Sequence, residues 1–333
     1  MTGIAILMVL IIPLVICTND VSVVDIRIAG GQKANPGQFP FYAQILVMGR
    51  DALVCGGSLI HQRWILTVGH CFPSSRRQTQ QMAVNNHILV YMGTIKQYNH
   101  IGSGTVWQSY AEGVYQHPAF VVRYIDQSRG ITDKLSNDMA LVHSRQHFPL
   151  GPYVQIIKLP NAKIHPHICG RGTIIGSGNT ENGSRGDVLY AEVELKWLHN
   201  LGVTLPSWTV RSSVFYTENR WNRGHALRGD SGGPYVCYFA KTPVLYGVIS
   251  SNRNYKDTVI TEYESVLNFM DFIKNSVPDV QIHRQRKIKG FRESKENRSR
   301  KRKAVTSTSS VRSNIVISFR FLFVILSRII KIS

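Results

Sequence analysis

Three short strings in this chain hold residue types that could act on a carbonyl carbon: "WILTVGHC" with His70, "SNDMALV" with Asp138, and "GDSGGP" with Ser231. An alcohol is a poor nucleophile at neutral pH. A serine that attacks needs a base beside it, a carboxylate to orient the base, and N–H donors for the charge that develops on the substrate oxygen. Glycine at 229 suits a backbone that must turn sharply and approach a substrate with no Cβ in the way. Any one string alone is a weak signal, and "GDSGGP" by itself also reads as a tight glycine turn without chemistry. The three together are specific for nucleophilic attack.

Such residues need a scaffold to bring them together. Between Arg27 and about Ile273 the pattern is short apolar stretches rich in β-branched and aromatic residues, such as "FPFYAQILVMG", "HILVYMG", "VLYAEVEL" and "PVLYGVISS", broken by Gly, Asn, Ser and Pro. Each is only a strand or two long, which predicts an all-β body. In "YESVLNFMDFIKN" the residues Val266, Phe269, Met270 and Ile273 recur at helical spacing before Pro278, which predicts a terminal amphipathic helix. A chain of 333 residues, 43 % of them apolar, is long enough for one large or two small cores.

Both ends differ from this body. Residues 1–17 form an apolar run interrupted by Pro13, which fits a signal-peptide core better than a membrane span of about 20 residues. Export followed by removal of this segment is expected, with 18–27 as a short propeptide. Cys17 then leaves with the signal, and Cys55, Cys71, Cys169 and Cys237 remain as an even set in an oxidising compartment, enough for two disulfides. The formal net charge is +19, but residues 281–333 hold 15 Lys or Arg against Glu293 and Glu296, so the body is only mildly basic. Residues 279–333 read as a disordered basic tail with a short apolar end, in which Arg320 and Arg328 break the run needed for a span.

With its strings in the order His, Asp, Ser, the chain resembles the chymotrypsin/trypsin-like serine proteases over about Ile28 to Ile273, and not the subtilisins or α/β-hydrolases, whose orders differ. The resemblance implies two six-stranded antiparallel β-barrels with a C-terminal α-helix, a protease domain over 28–274, and catalysis in the cleft without a cofactor. His70 is then general base and acid, Asp138 orients its imidazole, Ser231 attacks, and the N–H groups of Gly229 and Ser231 hold the oxyanion. "RIAGG" resembles an activation site, at which cleavage after Arg27 frees the Ile28 amine to fold inward and pair with Asp230. Ser250, in "GVISS", resembles the serine that hydrogen-bonds the triad aspartate. Cys55 and Cys71 resemble the histidine-loop disulfide; Cys237 has Cys169 as its candidate partner, three residues earlier than the family spacing before "GSGNT".

The departures concern specificity. The resemblance assigns His225, Ser250 and Asn252 to the primary specificity pocket, with His225 at its base where an aspartate would select Lys or Arg. Leu227 replaces a cysteine that braces this pocket, and Ser251 and Asn252 replace the common "WG" wall. With Arg228 near the mouth, acidic or polar, or aromatic, side chains are expected over basic ones. The chain thus reads as a secreted serine endopeptidase made as a zymogen; the alternative is a silent homologue that binds or regulates. Its expected partners are protein or peptide substrates, an activating protease that cleaves after Arg27, and protein inhibitors, with no specific nucleic acid and with tail contact to membranes left open. "HPHIC" sets His165, His167 and Cys169 at alternate positions, but surface histidines and a disulfide cysteine explain this more simply than zinc, and no metal is expected. Asn182, in "NGS", is a glycosylation sequon.

Overall fold

The computed structural model describes residues 28–283, apart from 50–51, 97–105, 124–133, 162–168, 179–185, 206–209 and 221–222. The expected signal peptide, the propeptide with Arg27, the sequon at Asn182, His165, His167 and the basic tail beyond His283 lie outside the described residues.

The first half lays down β1 (Gln32–Lys33), β2 (Tyr42–Val47), β3 (Leu53–His61) and β4 (Trp64–Thr67), then helix α1 (Arg76–Val84). It continues through β5 (Ile88–Met92), β6 (Trp107–Gln116), the ribbon β7 (Val121–Arg123) with β8 (Lys134–Ser136), and β9 (Ala140–Ser144). Strands β2-β3-β4-β9-β6-β5 close into an antiparallel barrel. The second half supplies β10 (Arg171–Gly176), β11 (Leu189–Lys196), β12 (Val214–Arg220), β13 (Pro234–Phe239), β14 (Thr242–Tyr255), β15 (Thr258–Ser265) and helix α2 (Met270–Ser276). Here the order is β11-β10-β13-β14-β15-β12, and pairing of β11 with β12 closes a second six-stranded barrel, with β1 added at β11. The architecture is the one expected.

Strand alternation explains each barrel interior. In β11, Leu189, Ala191, Val193 and Leu195 are buried while Glu192 and Glu194 face out, the period-2 pattern of a half-buried strand. The first core gathers Ile45, Leu59, Leu66, Val90 and Val142. The second is aromatic: Phe215 stacks on Tyr263 with ring centroids 5.1 Å apart, and Tyr235 meets both rings edge-on. Closure leaves few free strand edges, which suits a scaffold that must hold loops rigidly.

The terminal helix is shorter than the periodicity predicts. β15 runs to Ser265, a single 3-10 turn covers Val266–Phe269, and only then does α2 begin. Val266, Phe269, Met270 and Ile273 are nonetheless all buried. Helix α1 was not expected: only Thr79 and Ala83 of it are buried, so it has no apolar stripe to read. Its signal is the cap, in which the Ser75 side chain accepts from the Gln78 N–H, the first half of an S-x-x-Q box. Both disulfides, Cys55–Cys71 and Cys169–Cys237, are present.

Candidate active site

His70 lies in a single turn, Gly69–Cys71, directly after β4. The turn is tied down on two sides, by the Cys55–Cys71 bond and by Gln116 on β6, whose Nε2 donates to Gly69 O and Pro73 O at 3.0 Å each. Asp138 precedes β9 in a bend where Asn137 takes φ 50°, a left-handed conformation that Asn tolerates. Neighbouring strands β4 and β9 pair antiparallel, with Thr67 opposite Ala140. The ends of the two strands therefore bring His70 and Asp138 together although 68 positions separate them.

Three hydrogen bonds fix the pair. His70 Nδ1 lies 2.7 Å from Asp138 Oδ2, and the His70 backbone N–H donates to Asp138 Oδ1 at 2.9 Å. The third donor comes from the other barrel: Ser250 Oγ donates to Asp138 Oδ2 at 2.6 Å. Its placement has a local cause. Along β14 the register with β15 shifts between Ile249 and Ser251, so Ser250 is the extra residue of a bulge, and bulges re-aim a side chain.

Burial and charge divide the roles. Asp138 is fully buried, whereas the His70 side chain is 24 % exposed. Burial pushes the Asp138 carboxyl up, but the His70 charge and the bonds from His70 and Ser250 outweigh it and hold Asp138 below the usual carboxylate range. Burial pushes the His70 imidazole down, and the Asp138 charge and hydrogen bond reverse this and leave it raised. The arrangement is an imidazole of enhanced basicity, one tautomer favoured, with its second nitrogen left for a reactant.

Ser231 opens the loop into β13 and is held against the first barrel. Its carbonyl accepts from Gly56 N at 2.8 Å, and the Cys71 Sγ is 3.9 Å from the same oxygen. Next to it, Gly232 takes φ 84°, and a Cβ there would sit 2.2 Å from Thr67 Oγ1 and 2.3 Å from Gly56 O. Glycine is thus obligatory where the loop meets β3 and the end of β4. On the other side Gly229 has φ 99°. Among the described residues the Gly229 and Ser231 N–H groups donate to no protein acceptor, which leaves both available to an acceptor from outside the chain.

Asp230 points the opposite way, into the second barrel. Fully buried, it accepts from Gly178 N at 2.7 Å and Leu227 N at 2.8 Å, and from the Ile28 backbone N–H. Burial pushes its carboxyl up to about 6 against these donors. Gly176 and Gly178 of "GSGNT" make room for it, since a Cβ at Gly176 would lie 2.1 Å from Asp230 Oδ1. Ile28 is itself fully buried, at φ 30°, a costly conformation for a β-branched residue inside a chain.

The loop 223–228 is braced by hydrogen bonds where the family cysteine is missing. Ala29 N donates to His225 O at 3.0 Å, Asn219 Nδ2 to Gly224 O at 2.6 Å, and Asn252 Nδ2 to Ala226 O. His225 is fully buried, its Nδ1 2.9 Å from Arg223 O. Arg228 is exposed.

Sequence reasoning missed a charged cluster behind this site. Glu262 and Glu264 on β15 are fully buried. Arg211 forks between them, 2.8 Å from Glu262 Oε2 and 2.6 Å from Glu264 Oε1, and Arg253 Nε lies 2.6 Å from Glu262 Oε1. Glu264 Oε1 also accepts the Asp138 backbone N–H at 3.2 Å. The only sequence signal was the alternation "TEYES" itself.

Comparison with known proteins gives the same outline. The family model Trypsin matches residues 28–273. Cathepsin G of Mus musculus is 27% identical over 264 residues, spanning 75% of this chain and 85% of that protein. Coagulation factor IX of Oryctolagus cuniculus is 26% identical over 227 residues, 67% of this chain and 74% of its own length. The urokinase-type plasminogen activator of Gallus gallus is 28% identical over 274 residues, 75% of this chain and 58% of that protein.

Proposed function

Because the chain belongs to the trypsin family of serine proteases, we propose that it is a secreted serine endopeptidase, made as a zymogen and activated by cleavage after Arg27. The observation that carries this reading is the run of hydrogen bonds from Ser250 through Asp138 to His70, assembled from both barrels beside the Ser231 loop. His70 takes the Ser231 proton as the hydroxyl attacks the scissile carbonyl, and Asp138 stabilises the imidazolium that forms. The Gly229 and Ser231 N–H groups receive the oxyanion. His70 then passes its proton to the leaving amine, and water cleaves the acyl-enzyme by the same steps in reverse. Export is supported by the apolar segment before the body and by the two disulfides; among the described residues no helix is long and apolar enough to cross a membrane.

The substrates of this reading are proteins or peptides whose side chain at the cleavage site is short and uncharged. Burial of His225 and the link from Asn252 to Ala226 O support a pocket that ends above the imidazole. Of the acidic, polar and aromatic side chains that the resemblance leads one to expect, the buried imidazole favours the polar, uncharged ones. A positional peptide library tests it: Asn252→Gly should extend acceptance to longer side chains, and an unchanged profile refutes the assignment.

Fluorophosphonate labelling before and after cleavage at Arg27, with Ser231→Ala as control, tests the function itself. Labelling that follows cleavage and vanishes in the variant is expected. Folded, cleaved protein that never labels would make this a silent homologue instead.

A further inference from the structure

The buried charges behind the triad have no part in the reaction as described, yet they touch it. Resting on the reading of His70, Asp138 and Ser231 as a triad, we propose that Glu264, clamped by Arg211, is a positioning residue that anchors Asp138 through its backbone N–H and balances the charge behind His70.

The geometry gives each member a task. One oxygen, Glu264 Oε1, accepts both from the Asp138 N–H and from Arg211 Nη1, so the carboxylate that fixes the aspartate backbone is itself fixed by a guanidinium. The other arm of Arg211 holds Glu262, which Arg253 Nε and Ser251 Oγ also contact, at 2.6 and 2.7 Å. Ser250, Ser251 and Arg253 are neighbours on β14. Asp138 is therefore held from two sides, its carboxylate by Ser250 and its backbone by Glu264, and both supports lead to β14 and β15 of the second barrel.

Charge gives the cluster its second effect. The groups that face Glu264 are Arg211 before β12, Glu262 on the same strand, Asp138 before β9, and beyond Asp138 the His70 imidazole; Arg253 on β14 closes the set through Glu262. Arg211 works against protonation of His70, and the two glutamates offset Arg211. Buried ion pairs of this kind often add little stability compared with apolar packing, so stability alone does not account for placing four charges here.

The test reads the His70 titration directly, by the downfield Nδ1–H and ring resonances of histidine-labelled full chain carrying Ser231→Ala, and needs no catalytic turnover. Burial raises the Glu264 carboxyl and Arg211 pulls it back down, with a net rise; Glu264→Gln keeps an acceptor for Asp138 but can carry no negative charge, so the His70 midpoint should fall, by up to about one pH unit. Arg211→Gln should move it up by a similar amount. Opposite shifts are the signature, because mere loosening of the fold would not choose a sign. In active protein the acid limb of the fluorophosphonate labelling rate should follow the same directions, and Glu264→Ala, which also removes the acceptor, should lower the plateau rate at least tenfold. A His70 midpoint that stays put in Glu264→Gln overturns the proposal, whether or not the other variants fold. Failure of the parent to label, with the midpoint shifts present, would count against the protease reading alone.

Discussion

Under the proposed activation, Asp230 should tie the state of the chain at Arg27 to pH. Among the described residues its hydrogen-bond donors in the uncut chain are the amides of Leu227, Gly178 and Ile28, and a buried carboxylate held by amides alone is poorly compensated. Its pKa is raised from the ordinary 3.8 to about 6. Between these values the folded state binds the proton more tightly than the unfolded one, so the contribution is present in full below about pH 4 and is lost as pH rises through about 6. At about 1.4 kcal/mol per pH unit the loss amounts to roughly 3 kcal/mol, about 2 of it between pH 4.5 and 7. Cleavage after Arg27 turns the Ile28 amide into an ammonium group. On pairing with it the carboxylate should gain a cation, its pKa should fall, and the slope between pH 4.5 and 7 should vanish. The benefit persists until the amine, ordinarily titrating near 8, deprotonates above its own raised pKa.

The assay is urea unfolding across this range on Ser231→Ala protein, uncut and cut, with Asp230→Asn in the uncut chain as reference. The reference matters because burial also holds His61, His117 and His143 below their usual range, which makes stability rise with pH in the same interval. Those histidines contribute equally to parent and variant and cancel in the difference. The uncut parent should lose about 2 kcal/mol more than Asp230→Asn from pH 4.5 to 7, and the cut parent should not. Equal pH dependence in all three proteins would rule this out, since Asp230 would then have no uncompensated charge for the Ile28 ammonium to relieve.

Two further substitutions test the scaffold around the site. Gly232→Ala combines φ 84° with a Cβ 2.2 Å from Thr67 Oγ1, so thermal unfolding should show a loss of more than about 2 kcal/mol, with labelling of Ser231 lost; a melting temperature within a degree of the parent would contradict the close approach. Replacing Cys169 and Cys237 together by Ala opens a loop of sequence separation 68 and should cost up to about 4 kcal/mol in urea unfolding on the chain-entropy account, against about 3 for Cys55 and Cys71, whose separation is 16. The reverse order would point to strain or residual structure rather than loop entropy.

The sequence was informative where chemistry demands a residue type at a fixed spacing, and where one face of a strand must be apolar. "GDSGGP" is legible because its glycines answer local demands: Gly229 and Gly232 take positive φ, and the carboxylate between them must turn inward. β11 is legible because Leu189, Ala191, Val193 and Leu195 alternate with polar residues. Ser250 was found by its string, although the bulge that aims it could not be read from alternation, which a bulge breaks.

Glu262 and Glu264 show where such reading stops. In "TEYES" the alternation correctly sends Tyr263 into the second barrel and both glutamates to the opposite face of β15. Alternation tells which residues share a face, but not whether that face meets water. Here it meets Arg211, 53 positions before Glu264 in the chain, and the backbone of Asp138, 126 positions before it. A strand that reads as half exposed is therefore covered on both faces, one by aromatic rings and the other by paired charge. The charged face survives burial only because every carboxylate on it has a guanidinium partner, so removal of one cation should be felt at once by the aspartate that shares Glu264 with it.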